Sequence, residues 1–89
     1  METGTHVRQN YHNPFNPTTT IEFQVPKAGV VVVRVVDVLG RHCATLLDRK
    51  MSAGTHRVQW NAAGMPSGVY FCRMRAGNET STIKMLLTR

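Results

Sequence analysis

Carboxylates are scarce in this chain: five Asp and Glu stand against eleven Lys and Arg, a net charge of +6. Chemistry that divides acid and base roles needs two carboxyl groups held together. Glu22 and Glu79 fall on or beside strand surfaces, and the sequence brings no such pair together. Cysteine is limited to Cys43 and Cys72, neither near a second thiol in sequence, and His6, His12, His42 and His56 lack metal-ligand spacing. No metal or cofactor is expected. No stretch shows helical periodicity with caps, and no run approaches the roughly 18 apolar residues of a membrane span. The opening residues, Met1-Glu2-Thr3-Gly4-Thr5-His6, lack the basic and apolar regions of a signal peptide. An exported chain of this kind would carry its address elsewhere, as a piece of something longer. Ser67, within Gly64-Met65-Pro66-Ser67-Gly68, has the wrong spacing for a nucleophile elbow and follows a loop where a strand is needed. It reads as a turn serine, and the chain reads as non-catalytic.

What is present suits one small domain. Eighty-nine residues, 42% hydrophobic and 18% charged, lie near the lower limit for a self-sufficient core. A chain of that size buries about 60 to 65% of its unfolded surface. The basic excess is mostly arginine: Arg8, Arg34, Arg41, Arg49, Arg57, Arg73, Arg75 and Arg89. They are spread along the chain with no block of like charges. A nucleic-acid reader clusters its basic residues and interleaves aromatics for stacking. Here Phe15, Phe23, Trp60, Tyr70 and Phe71 fall mostly at core-like positions, so a solvated basic surface is expected and nucleic acid is not. Attraction to an anionic cell surface stays open.

The pattern is all β. Residues 18–25 alternate, with Ile21, Phe23 and Val25 on one face. Pro26-Lys27-Ala28-Gly29 turns the chain, and residues 30–38 form a valine run suited to a central strand. Leu39-Gly40-Arg41 makes a tight turn in which Gly40 supplies positive φ and Asp37 accepts from the turn's N–H groups. Residues 43–49 follow as a strand, and Ser52-Ala53-Gly54 leads into residues 55–60, where His56, Val58 and Trp60 alternate. A loop carrying Pro66 precedes a strand over 68–75. Ala76-Gly77-Asn78-Glu79 closes a hairpin with a last strand over 80–87. Strands at this spacing predict an Ig-like antiparallel β-sandwich of about seven short strands. Residues 1–9 read as a linker or leader remnant, and residues 10–89 as the domain.

Three features admit more than one use. In an oxidising compartment Cys43 and Cys72 could close a disulfide loop of about 30 residues, contributing roughly 3 kcal/mol. The other reading is two small buried hydrophobes. Trp60 and Tyr70 suggest either a sugar-stacking platform or, at their alternating positions, sandwich core. In Asn10-Tyr11-His12-Asn13-Pro14-Phe15-Asn16-Pro17-Thr18-Thr19-Thr20-Ile21, each proline fixes its own φ and drives its predecessor out of the helical region. The segment is extended and kinked, with Asn13 and Asn16 free to close turns and Phe15 placed to plug an open end of the sandwich.

That same segment, Asn10-Tyr11-x-Asn13-Pro14-Phe15-Asn16-Pro17-Thr18-Thr19-Thr20-Ile21, resembles the opening of the C-terminal sorting domain of type IX (Por) secretion. Further matches follow in order. Val35-Val36-Asp37-Val38-Leu39-Gly40-Arg41 is similar to the family's aspartate and glycine-arginine turn. Ala53-Gly54-Thr55-His56-x-Val58-x-Trp60 is similar to its central strand, and Pro66-Ser67-Gly68-Val69-Tyr70-Phe71 to its penultimate one. Lys84-Met85-Leu86-Leu87-Thr88-Arg89 matches the basic, apolar tail. His12 stands where proline is usual, and Val36 and Cys72 where tyrosine is common. The sandwich pattern also resembles the Ig-like domain of flagellar hook-capping proteins.

The resemblance implies a non-catalytic domain exported with an upstream cargo, by a signal peptide outside this chain. The outer-membrane translocon then recognises it, and a sortase-like protease removes it while attaching the cargo to anionic lipopolysaccharide. The cargo is then secreted or held at the cell surface. The final strand is the expected recognition surface, through Lys84, Met85, Leu86, Leu87 and Arg89. An edge strand offers backbone groups for strand addition. Asn13, Pro14, Phe15, Asn16 and Pro17 are expected to cap the sandwich, with direct recognition there as the alternative. Asp37, Gly40, Arg41, Gly54, Trp60, Ser67, Gly68 and Tyr70 carry the structural motifs. Two other uses remain open at this level: an accessory carbohydrate-binding module of a secreted enzyme, and a structural Ig-like spacer.

Overall fold

The computed structural model describes residues 6–10 and 17–88. Among these residues seven strands follow one another without a helix: β1 His6–Asn10, β2 Thr18–Val25, β3 Gly29–Asp37, β4 His42–Met51, β5 Gly54–Asn61, β6 Gly68–Ala76 and β7 Glu79–Leu87. They form two antiparallel sheets, one of order β1-β2-β5 and one of order β4-β3-β6-β7. Within a sheet β1 pairs antiparallel with β2, and hairpins join β3 to β4 and β6 to β7. The other connections cross between sheets, as a sandwich requires. The all-β sandwich expected from the sequence is the observed architecture.

The core comes from strict alternation. Ile21, Phe23 and Val25 of β2 face Val31, Val33 and Val35 of β3 and Cys72 and Met74 of β6, all buried. Trp60, Tyr70, Met85 and Leu87 complete it. On the valine run Val31, Val33 and Val35 are at 0% exposure and Val30 is at 53%, while Val36, near the strand's end, is also buried. β-Branched side chains suit this pleated, half-covered surface.

Strand ends depart from the sequence pattern where side chains intervene. The valine strand ends at Asp37, and Val38 passes into the turn with Leu39, because the Asp37 carboxylate closes that turn one residue early. Edge strand β4 is longer than expected and carries two bulges, with Leu46 and Cys43 as the extra residues opposite β3. Bulges twist an edge away from further pairing. β1, largely within the stretch that reads as linker, pairs with β2 from His6↔Gln24 to Asn10↔Thr20. Five residues with little alternation gave no sequence signal for it.

Candidate functional site

β7 sits at one edge of the four-stranded sheet, hydrogen-bonded to β6. Its register with β6 runs without a break from Ala76↔Glu79 to Gly68↔Leu87. Gly77 and Asn78 form a two-residue turn, and Gly77 at φ 61° gives it the positive first angle of the primed hairpin turns. In such a hairpin the residues flanking the turn exchange both backbone hydrogen bonds, and the pattern then alternates. Odd-numbered positions from Glu79 to Leu87 therefore direct their backbone groups to β6. Thr80, Thr82 and Lys84 direct theirs outward, and Leu86, the next such position, is already engaged.

Side chains alternate on the same period. Met85 and Leu87 are buried at 0% and 1% exposure, while Lys84 is exposed and Leu86 is exposed at 41%. The tail singled out in the sequence is thus split. Lys84 and Leu86 can be touched from outside, and Met85 and Leu87 hold the sheets together. Arg89 lies outside the described residues.

The turn before β4 is fixed by one carboxylate. Asp37 Oδ1 accepts from the backbone N–H of Leu39 and of Arg41, both at 2.9 Å, and Oδ2 accepts from Arg41 Nε at 2.8 Å. Gly40, at φ 79°, donates its N–H to the Asp37 carbonyl at 2.9 Å. The Arg41 backbone donor foremost, with its guanidinium and the Leu39 N–H, holds the Asp37 carboxyl below its ordinary value against a partial opposing effect of burial. Stability drawn from this carboxylate is present above the ordinary value of 3.8 and is lost as acid protonates it.

A second motif anchors the start of β6. Tyr70 donates its hydroxyl to the Pro66 carbonyl at 2.6 Å, four residues upstream. This is the tyrosine corner of Ig-like sandwiches, in which the hydroxyl bonds back to the preceding loop. Tyr70 meets Trp60 edge to face, ring centroids 5.3 Å apart. Both rings are buried, so they form core and not a sugar platform. Gly68 opens β6 beside exposed Ser67, and exposed Gly54 opens β5. Pro17 is exposed, and its carbonyl accepts from the Ala62 N–H at 2.8 Å. Asn13, Pro14, Phe15 and Asn16 lie outside the described residues.

The disulfide option is corrected by the topology. Cys72 is opposite Val35, and Val35 is opposite Ala44, the neighbour of Cys43, so β3 runs between the two cysteine-bearing strands. Two strand spacings are about 9.5 Å, beyond the ~7 Å reach of a disulfide. Both thiols are free, and burial pushes Cys72 up to about 12, leaving an inert thiol. Among the described residues no three His, Cys, Asp or Glu side chains are gathered where they could hold a metal ion. No helix there is long and apolar enough to cross a membrane.

Sequence reasoning missed one grouping. Arg34, Arg73 and Arg75, distant or merely alternating in the chain, meet on the outer face of the four-stranded sheet. The i, i+2 spacing of Arg73 and Arg75 was the only visible signal; the partner position on β3 depends on register.

Fold and motifs define an Ig-like sandwich module with a fixed β3–β4 turn, a tyrosine corner and an edge strand at its end. The sequence profile of the secretion system C-terminal sorting domain, the Por secretion tail, matches residues 9–88. The chain belongs to that family, the sorting domains of type IX secretion. Neither the curated proteins nor the solved structures give a match.

Proposed function

We infer that this chain performs the family's C-terminal sorting role in type IX secretion, for a secreted or cell-surface cargo. We propose that the domain, covalently linked to an upstream cargo, is read by the outer-membrane translocon through the edge of β7. A sortase-like protease then separates it from the cargo at the cell surface. The supporting observation is the outward set of backbone groups at Thr80, Thr82 and Lys84 on a strand that, among the described residues, is laddered to β6 alone, with β1 also coming near it. Addition of a receptor strand there forms backbone hydrogen bonds without disturbing the core. Lys84 supplies a charge beside them. Met85 and Leu87 act indirectly, by holding β7 in place.

Two substitutions test this in a reporter fused upstream of the full chain and expressed in a host with type IX secretion. Thr82→Pro removes an outward N–H and no ladder bond, a placement an edge strand tolerates, and Lys84→Glu reverses the charge. Both variants are expected to fold and to leave the reporter in the periplasm. Normal surface delivery by folded Thr82→Pro would sink the strand-addition reading and favour a plain spacer.

A further inference from the structure

Register gathers charge that the chain disperses. On the face of the four-stranded sheet turned away from the core, Arg34 of β3 stands directly opposite Arg73 of β6. Arg75 follows two residues along, opposite Val32. Side chains directly opposed on an antiparallel pair are about 5 Å apart, and like charges there are destabilising. Positions i and i+2 are about 7 Å apart. All three arginines are exposed, and no ion pair joins them to a carboxylate among the described residues. Asp48, opposite Val32 on β4, and Glu79, at the start of β7, are the nearest acids along the ladders.

The fold has no need of this arrangement, since the inward positions of the same strands supply the core. Its shape is specific. Leu46, one of the two extra residues on β4, lies opposite the Val33/Arg34 step, and a bulge bends its strand and re-aims the side chains beside it. Val32, Arg34, Arg73, Arg75 and Thr80 line a hollow of about 360 Å³. Val32 and Arg75 also border a second hollow of about 610 Å³, between the β2–β3 and β6–β7 turns, that includes exposed Val30.

We propose that this face binds the phosphate of a lipid headgroup, with the three guanidinium groups and the Thr80 hydroxyl converging on one phosphomonoester and Val30 lying against the bilayer interface. The planar guanidinium fork matches phosphate oxygens two at a time. A phosphomonoester carries about −1.5 to −2 charge and three terminal oxygens, enough for three forks. An acidic strand would present carboxylates in a line about 7 Å apart, whereas these arginines form a triangle around a hollow. A sheet face carrying both basic and aliphatic residues also suits contact with an anionic membrane. This site lies on the sheet face and shares Thr80 with the β7 edge, through its hydroxyl and not its backbone groups.

Vesicle flotation of the 89-residue chain tests the proposal. Phosphatidylcholine vesicles carrying phosphatidic acid are compared with vesicles matched in surface charge by phosphatidylglycerol. The chain is expected to bind the phosphatidic acid vesicles about tenfold more tightly, the difference one well-placed charge-assisted contact makes. Arg73→Gln/Arg75→Gln weakens that binding roughly thirtyfold, with Tm unchanged or raised because the opposed charges are gone. Arg73→Lys keeps the charge and loses the preference between lipids. Arg49→Gln, on β4 outside the hollow, leaves binding unchanged. Equal affinity for both vesicles overturns the proposal. So does inorganic phosphate binding as tightly as the phosphatidic acid vesicles, or a polyglutamate peptide binding more tightly than either vesicle.

Discussion

Single side chains in this domain work mostly on the fold. The clearest case is Cys72, at 0% exposure and with a thiol pushed from 9.0 to about 12 by burial. A raised thiol favours the neutral form in the folded state. Its contribution is therefore complete below the unfolded value near 9.0 and declines as pH rises toward 12. The slope is about 1.4 kcal/mol per pH unit. Urea melts of the wild type and Cys72→Val at pH 9 and pH 10.5 isolate it, because lysine and tyrosine titrations are common to both. The wild type is expected to lose about 2 kcal/mol more than the variant over that interval. Equal losses would show that the thiol can ionise in place. Asp37 works in the opposite sense: its carboxylate is needed ionised, and acid releases the turn it holds.

At the scale of the strand, β7 carries two separate jobs on its two faces. Met85 and Leu87 point into the core and Lys84 points out. Met85→Ala is expected to cost about 2 to 5 kcal/mol through lost transfer energy and a cavity between the sheets, visible as a lower urea midpoint at constant m-value. Lys84→Gln is expected to stay within about 0.5 kcal/mol, as surface substitutions do. Similar costs for both would mean that β7 is not seated as described. Alternation of this strand was legible in the sequence, and so was its place as the last strand. The division of the tail into touchable and buried residues was not. Lys84 to Arg89 reads in sequence as one basic, apolar string, and only burial by the facing sheet separates its parity.

For the whole molecule, the consequence is that the last strand cannot be removed without unfolding the domain. Ending the chain at Ile83 deletes Met85 and Leu87, two of the fully buried side chains. In a chain whose core is near the lower size limit, loss of about 5 kcal/mol or more is comparable to the entire stability of a small domain. The truncated chain is expected to lose its cooperative thermal transition by circular dichroism. Retention of a sharp transition would show that β7 adds little to the core. Failure of a truncated fusion to reach the cell surface therefore does not by itself identify a recognition sequence. Thr82→Pro and Lys84→Glu, which leave the core intact, separate recognition from folding.

The sandwich was already written into the residue order, since a period of two in apolar residues with turn chemistry between the runs admits little else. So was the Asp37 turn, because an aspartate three residues before a glycine needs only local geometry to close it. The family follows from ordered local motifs, which are themselves properties of the sequence. Relations across strands were left to the tertiary structure. Separation of Cys43 from Cys72 by β3, pairing of β1 with β2, and convergence of Arg34 with Arg73 and Arg75 all depend on which strands lie side by side and in what register. Those choices are set by how two sheets bury their inner faces together, a balance no local stretch of the chain contains.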